Sequence, residues 1–523
     1  MKKKTCFLRV LALALILAFS FAFTGCDHGD DSAVSTPTTS TTTGDGPPPI
    51  ANMTITVNPN TRYQFVRGFG GMDIPWLFGG WQNITISREE YETMYNPNGP
   101  LGFNIMRIMI NPIKGKVAGA NDNTPEDNKF IHAEDPVEFL DFITSPAGGR
   151  PDYIEGVKIV NKHGGYVLAS PWSPPKAWKA NNKISGGTLL PARYGDYANY
   201  LKKFATEMSD RGAPLYAISI QNEPNYGTEK EDYEGCGWSE TAMRDFFVQV
   251  GDFTADVPGY GGGAATERVL IMNGESANTP LIHNAAMQDE TSRAIIDLLA
   301  RHNYGSLTVT PYNPGADFGK EMWMTEMNLN SRSAAAYPND STWNYMWIFL
   351  NDVDMSIRGR GDNAYVWWAL KRFYSLLGDG QYGTTDKAIL PRGYALAHYA
   401  KFAKEKYRIG VTVTSGNAGM INHAGINRDS LTPRVTAFIS ESGSELSVVM
   451  YTPTSDTGGG GYDLGVVKIE MPSGFVAASA TAMRSNANVK GQTEAVRYFD
   501  REGKYAMVTL PRSEILSVKF VRK

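Results

Sequence analysis

From about residue 69 to residue 368, short apolar runs recur. Each leads into a loop rich in Gly, Pro or Asn, followed by a helical pattern. The runs end near residues 69–71, 104–110, 166–170, 216–220, 269–272, 299–303, 322–325 and 364–368. They are apolar along most of their length rather than alternating, as strands buried on both faces are. Amphipathic stretches lie between them, such as residues 194–209 and 341–357. The second opens on Ser341 and Thr342, candidate caps ahead of an apolar stripe. Eight strand-then-helix units over about 300 residues predict a (β/α)8 barrel.

Beyond Tyr407 the period changes to two. Val411 and Val413, Val435 and Ala437, Leu446, Val448 and Met450, Val467 and Ile469, and Ala506, Val508 and Leu510 alternate with polar residues. Turns such as residues 458–461 separate them, which predicts an antiparallel β-sandwich. The alternating stretch Met53-Thr54-Ile55-Thr56-Val57 lies before the barrel and is expected to pair with that side domain.

The N-terminus carries a different signal. Lys2, Lys3, Lys4 and Arg9 precede an apolar run over residues 10–23 that only Ser20 interrupts. The run is short for a bilayer span, which needs about 20 residues, and has the form of a secretory signal segment. It ends Phe23-Thr24-Gly25-Cys26, which resembles a bacterial lipobox with Cys26 as the acylated residue. Residues 27–49 are rich in Asp, Ser, Thr, Gly and Pro, a flexible tether. The expected organisation is therefore a signal segment over 1–25, a linker over 26–50, a strand over 51–64 that joins the side domain, the barrel over 65–403 and the sandwich over 404–523. Export is expected, with the chain held at a membrane by an N-terminal lipid or released.

Composition removes other classes. Lys+Arg is 50 and Asp+Glu 54, a formal net charge of -4, which lacks the basic excess of a nucleic-acid binder. Of the three cysteines, Cys6 and Cys26 fall in or beside the N-terminal segment, so no disulfide framework is expected. Cys236 reads as a spare loop thiol. No His/Cys cluster has metal-ligand spacing, so neither metal nor cofactor is expected.

Two acids stand where apolar runs leave the core. Strand four runs Ile218-Ser219-Ile220-Gln221-Asn222-Glu223-Pro224, and strand seven runs Met322-Trp323-Met324-Thr325-Glu326-Met327-Asn328. In a barrel the loops after the strands build the site, and two acids across the mouth suit glycoside hydrolysis. One carboxyl must keep a proton for the leaving oxygen; the other must be ionised to attack. The geometry predicts carboxyls about 5 to 5.5 Å apart. Asn222 is placed to orient the acid or bind a sugar hydroxyl, and Glu275 is a third strand-end acid, either a supporting partner or a direct participant.

The motifs Gly68-Phe69-Gly70-Gly71-Met72, Met106-Arg107, Ser170-Pro171-Trp172-Ser173-Pro174-Pro175, Gln221-Asn222-Glu223-Pro224, His302-Asn303-Tyr304-Gly305, Thr325-Glu326 and Pro391-Arg392-Gly393-Tyr394 together resemble glycoside hydrolase family 30. The resemblance covers about residues 62–402 and implies a retaining hydrolase. It makes Glu223 the acid/base and Glu326 the nucleophile, supported by Arg107, Asn222, His302 and Tyr304, with Trp172 and Trp367 as sugar platforms. The stretch Trp368-Ala369-Leu370-Lys371-Arg372-Phe373-Tyr374 resembles the glucuronoxylanase branch, which implies that Arg372 and Tyr374 hold a glucuronate branch of xylan. Ser375 departs from that branch's usual Gly, and the loop over 376–390 is longer. The expectation is a monomeric endo-β-1,4-xylanase. Its rivals are a β-glucanase or β-glucosidase of the same family and a non-catalytic surface glycan-binding lipoprotein.

Overall fold

The computed structural model describes residues 48–75, 84–120, 124–226, 234–278, 284–304, 314–329, 342–413, 431–455 and 461–523. The signal segment, nearly all of the linker, Cys26, Gly305 and Ser341 lie outside them. No helix among the described residues is long and apolar enough to cross a membrane.

Eight parallel strands close into a barrel in chain order: Gly68–Asp73, Ile105–Ile110, Tyr166–Pro171, Ala217–Ser219, Leu270–Ser276, Leu298–His302, Glu321–Glu326 and Ala364–Trp367. The last pairs back onto the first, with Val366 opposite Gly70. Gly70 permits that closeness: a Cβ there would lie 1.7 Å from the Ile105 carbonyl oxygen. Helices pack outside. In Tyr194–Asp210 the buried residues Tyr197, Leu201, Phe204, Ala205 and Met208 recur at helical spacing and face the barrel. Ser239 caps Glu240–Val250 by accepting from the Ala242 amide, and the helix stops at Gly251 with φ 67°. The helical stretch expected from Ser341 begins as a 3-10 turn, Trp343–Tyr345. Thr342 holds the cap position without a side-chain capping bond. The chain continues as Met346–Asp354 and ends in a π turn, Met355–Arg360.

The strand Met53–Val66 enters the side domain. It lies antiparallel to Lys406–Val413 and parallel to Gly465–Glu470. Ten strands form this domain in one sheet that folds over its own core of Met53, Ile55, Leu446, Val448, Val467 and Val518. In Glu445–Tyr451, Leu446, Val448 and Met450 face that core, while Val449 and Tyr451 join the barrel's core. The strand is thus buried on both faces. Tyr451 stacks on Trp347 of the barrel, ring centroids 6.2 Å apart. His398, on the last barrel helix, is held 2.9 Å from both Ser517 and Ser485 of the side domain. Burial pulls its imidazole down to about 3, so it joins the two parts as a neutral ring.

Candidate active site

The barrel strands carry an apolar layer and, two residues further along, a polar one. Ile105, Leu168, Ala217, Ala300 and Val366 share one interior cluster with Tyr166, Tyr216, Met272 and Trp323. Side chains alternate along a strand, so the next inward positions are Arg107, Ser170, Ser219, His302 and Trp368. The site is assembled from that second layer.

Arg107 is its hub, with no exposed side-chain surface. Nη1 donates to Glu326 Oε2 at 2.6 Å and Nη2 to Asn222 Oδ1 at 2.6 Å, with Glu275 Oε1 2.9 Å away. Nε donates to Ser170 Oγ at 3.0 Å, and that hydroxyl donates to Glu275 Oε1 at 3.1 Å. The guanidinium lies 4.9 Å over Trp172. Glu275 is fully buried. Burial alone raises a carboxyl, but Arg107 and His302 overcome that and hold it at about 2.

Strand pairing breaks where the acids appear. Arg301 pairs with Met324, but His302 pairs with Glu326, so the ladder skips Thr325. The irregularity brings Glu326 level with His302. Glu223 and Glu275 have φ of 46° and 50°, left-handed backbone that is costly for residues bearing a Cβ. The Glu223 amide donates to the Glu275 carbonyl at 3.1 Å, fixing one turn against the other.

These turns bring the acids together. His302 Nδ1 lies 3.1 Å from Glu223 Oε1 and 3.9 Å from Glu326 Oε1. A carboxylate oxygen of each acid and this imidazole lie within 4.8 Å of one another. Tyr304 donates to Glu326 Oε1 at 2.8 Å. Burial would lower the His302 imidazole, but Glu326 and Glu223 carry it up to about 9, so it is cationic at neutral pH. Burial pushes Glu326 up, against His302 and Arg107, with Glu223 adding to the push. Glu223, His302 and Glu326 offer a cation three ligand atoms, but Arg107 and Tyr304 already occupy both oxygens of Glu326.

Of the remaining sequence candidates, Trp172 lies under Arg107 and is only 1% exposed, so it floors the site rather than offering an open face. Trp367 is not at the site. It points outward, fully buried, with its ring 4.9 Å from Phe349 and near Arg392. The alternation that turns Val366 inward turns Trp367 to the helices. Trp368 takes the inward place, 6.3 Å from Trp172. Period-two counting from Ala364 would have selected it. Tyr374 is buried against Trp368, and burial raises its hydroxyl to about 12, so it stays a neutral donor. Arg372 is paired with Asp379 at 2.9 Å, with 12% and 9% of the two side chains exposed. Cys236 is buried, and burial pushes its thiol up to about 11, an unreactive state.

The family model of the glycosyl hydrolase family 30 TIM-barrel domain matches residues 149–311, which include Glu223, Glu275 and His302. Glucuronoxylanase XynC of Bacillus subtilis is 29% identical over 379 residues, 69% of this chain and 73% of its own. The chain resembles the family 30 glycoside hydrolases. Other likenesses extend beyond xylanases. Putative glucosylceramidase 3 of Caenorhabditis elegans is 23% identical over 381 residues, 67% of this chain and 69% of that one. A family 30 subfamily 8 xylanase from Clostridium acetobutylicum has the same fold, with TM-score 0.66 and 22% identity over 90% of this chain and all of that one.

Proposed function

We propose that this chain is a family 30 hydrolase that cleaves glucuronate-branched β-1,4-xylan internally, with retention of anomeric configuration. The observation that carries the mechanism is the pair of acids with oxygens within 4.8 Å. Inverting enzymes hold their carboxyls about 6.5–9.5 Å apart to admit a water, and retaining ones about 5–5.5 Å. Glu326 is the nucleophile: Arg107 and Tyr304 donate to its two oxygens and favour the ionised form. Glu223 is the more exposed acid, at 12% of its side chain against 6%, and serves as the general acid toward the leaving oxygen. It then takes a proton from the water that releases the glycosyl-enzyme. His302 and Arg107 stabilise the charge that moves between the two acids, and Asn222, fixed by Arg107, meets a sugar hydroxyl.

The xylan assignment is supported by the likeness to a glucuronoxylanase and by Arg372 and Tyr374 beyond strand eight. One observation favours an unbranched β-glycan instead, the engagement of Arg372 by Asp379. Product analysis on glucuronoxylan, unbranched xylan and β-glucan separates the two readings. NMR of the first product tests retention: a first-formed α-anomer from a β-linked substrate contradicts it. Glu223→Ala should depress hydrolysis of xylan far more than that of activated aryl glycosides, which need little protonation. Equal losses would remove Glu223 from that role.

We also propose a lipid anchor at Cys26, with the linker separating barrel from membrane. Cys26→Ala should move the enzyme out of the detergent phase with activity unchanged. Unaltered partitioning would rule Cys26 out.

A further inference from the structure

At the junction of barrel and side domain, three irregular segments leave a gap. The π turn Met355–Arg360 widens the end of its helix and stops at Gly361, with φ 75°. Opposite it runs Lys406–Val413, whose pairing with Met53–Val66 shifts register between Asn58 and Arg62 and again between Arg62 and Phe65. Between these segments lies a cavity of about 380 Å³ lined by Tyr63, Arg358, Arg360, Arg408, Gly410 and Thr436 among others. That volume falls in the range of small-ligand pockets, about 300–1,000 Å³.

Four arginines, Arg358, Arg360, Arg408 and Arg434, gather around it, in a chain whose net charge is -4. Asp354 pairs with Arg358 at 2.8 Å and lies 3.5 Å from Arg434. One carboxylate thus serves two guanidiniums, and it also accepts from Thr436 Oγ1 at 3.0 Å. Arg434 is wholly buried, and its Nη2 finds no acceptor among the described residues. Arg360 donates to Asn303 Oδ1. Arg408 lies 3.5 Å over the Tyr63 ring, and its Nε donates at 3.1 Å to Gln64, an uncharged amide. Asp354 acts on Arg408 through space, but among the described residues no carboxylate makes a direct ion pair with it. Burial therefore pulls its guanidinium down to about 10, still cationic at neutral pH.

We propose that this junction cavity is a second ligand site, separate from the acid cluster, that takes an oxyanion of up to monosaccharide size. Arg408 supplies the principal contact. Its planar fork matches a carboxylate or phosphate edge with two parallel donors, and the Tyr63 ring holds the fork in one orientation. Arg360 and Arg358 add positive field at the wall. Two sources share this chemistry, the carboxylate of a uronic acid and inorganic phosphate. The site does not depend on which glycan the barrel cleaves.

The test is calorimetric titration of the whole enzyme at low ionic strength with inorganic phosphate, sodium glucuronate and neutral xylose. One anion should bind at a single site, and Arg408→Gln should weaken that binding at least tenfold while hydrolysis of a short substrate stays at the wild-type rate. Tighter binding of glucuronate assigns the site to a sugar acid, and tighter binding of phosphate to an inorganic ion. Tyr63→Ala, on a half-exposed ring, should weaken binding several-fold and keeps the test open if the arginine variant does not fold. No anion binding to the wild type overturns the proposal. So does binding that Arg408→Gln leaves unchanged, because it then belongs to another surface.

Discussion

The same eight strands build two layers of opposite character. In the lower layer Leu168, Ala217, Ala300 and Val366 pack with Trp323, whose ring stacks 5.8 Å from Tyr216. One side-chain repeat higher, Ser170, Ser219, His302 and Trp368 stand beside Arg107, with three carboxylates held among them. The lower layer is apolar surface removed from water, and it stabilises. The upper layer buries charge at a desolvation cost that mutual pairing offsets, and it contains left-handed glutamates. Substitutions in the two layers should therefore separate stability from rate.

The largest separation is expected at Glu326. Glu326→Gln keeps the shape, removes the proposed nucleophile, and should lower turnover by about 10⁴-fold or more. It also relieves repulsion with Glu223, so the melting temperature should hold or rise. A folded variant with near-native hydrolysis would remove Glu326 from the mechanism. In the lower layer, Trp323→Ala should cost about 3–5 kcal/mol of stability by leaving a cavity. Its activity per folded molecule should stay near wild type. If the rate instead falls with stability unchanged, the division into two layers is wrong.

The layers also differ in how far the sequence reveals them. The barrel, its strand order and the side domain follow from apolar runs and a change of period, because burial on both faces or on one leaves a periodic trace. Trp367 shows the limit: a run that is apolar throughout does not say which face is inward, and its neighbour Trp368 reaches the site. The skipped Thr325 and the positive φ of Glu223 and Glu275 are backbone irregularities with no such trace. What made Glu223 and Glu326 legible was their motifs. Neither the hub role of Arg107 nor the burial of Trp172 beneath it follows from spacing.

A smaller effect concerns pH. The His302 imidazole is raised from about 6.5 to about 9 in the folded protein. A raised folded value means that its charge stabilises the fold fully below about pH 6.5, and that this contribution is lost as pH climbs through 9. The stability difference between wild type and His302→Gln should shrink over that interval in denaturant titrations. Glu275 acts at the other end. Held at about 2, it stabilises above its ordinary carboxyl value and loses this contribution as pH falls through 2. A wild-type-minus-variant difference that stays flat from pH 6.5 to 9 would show that His302 does not carry the charge assigned to it.

The smallest effect tests where the upper layer ends. Arg372 follows strand eight, but its guanidinium is paired with Asp379, with Tyr374 near it. If a uronate is bound here, it has to compete with Asp379 for the same fork. A charge-assisted hydrogen bond is worth about 1.5–3 kcal/mol, and the competing pair places the net gain at the lower end. Arg372→Ala should then reduce hydrolysis of glucuronoxylan about tenfold and leave cleavage of unbranched xylo-oligosaccharides nearly unchanged. Asp379→Asn frees the guanidinium and should move activity the other way, raising the preference for the branched substrate several-fold. The two variants pull apart only if Arg372 meets the substrate. If both lower activity equally on branched and unbranched chains, the pair is a brace for the loop after strand eight, and the uronate assignment fails while the two-acid mechanism stands.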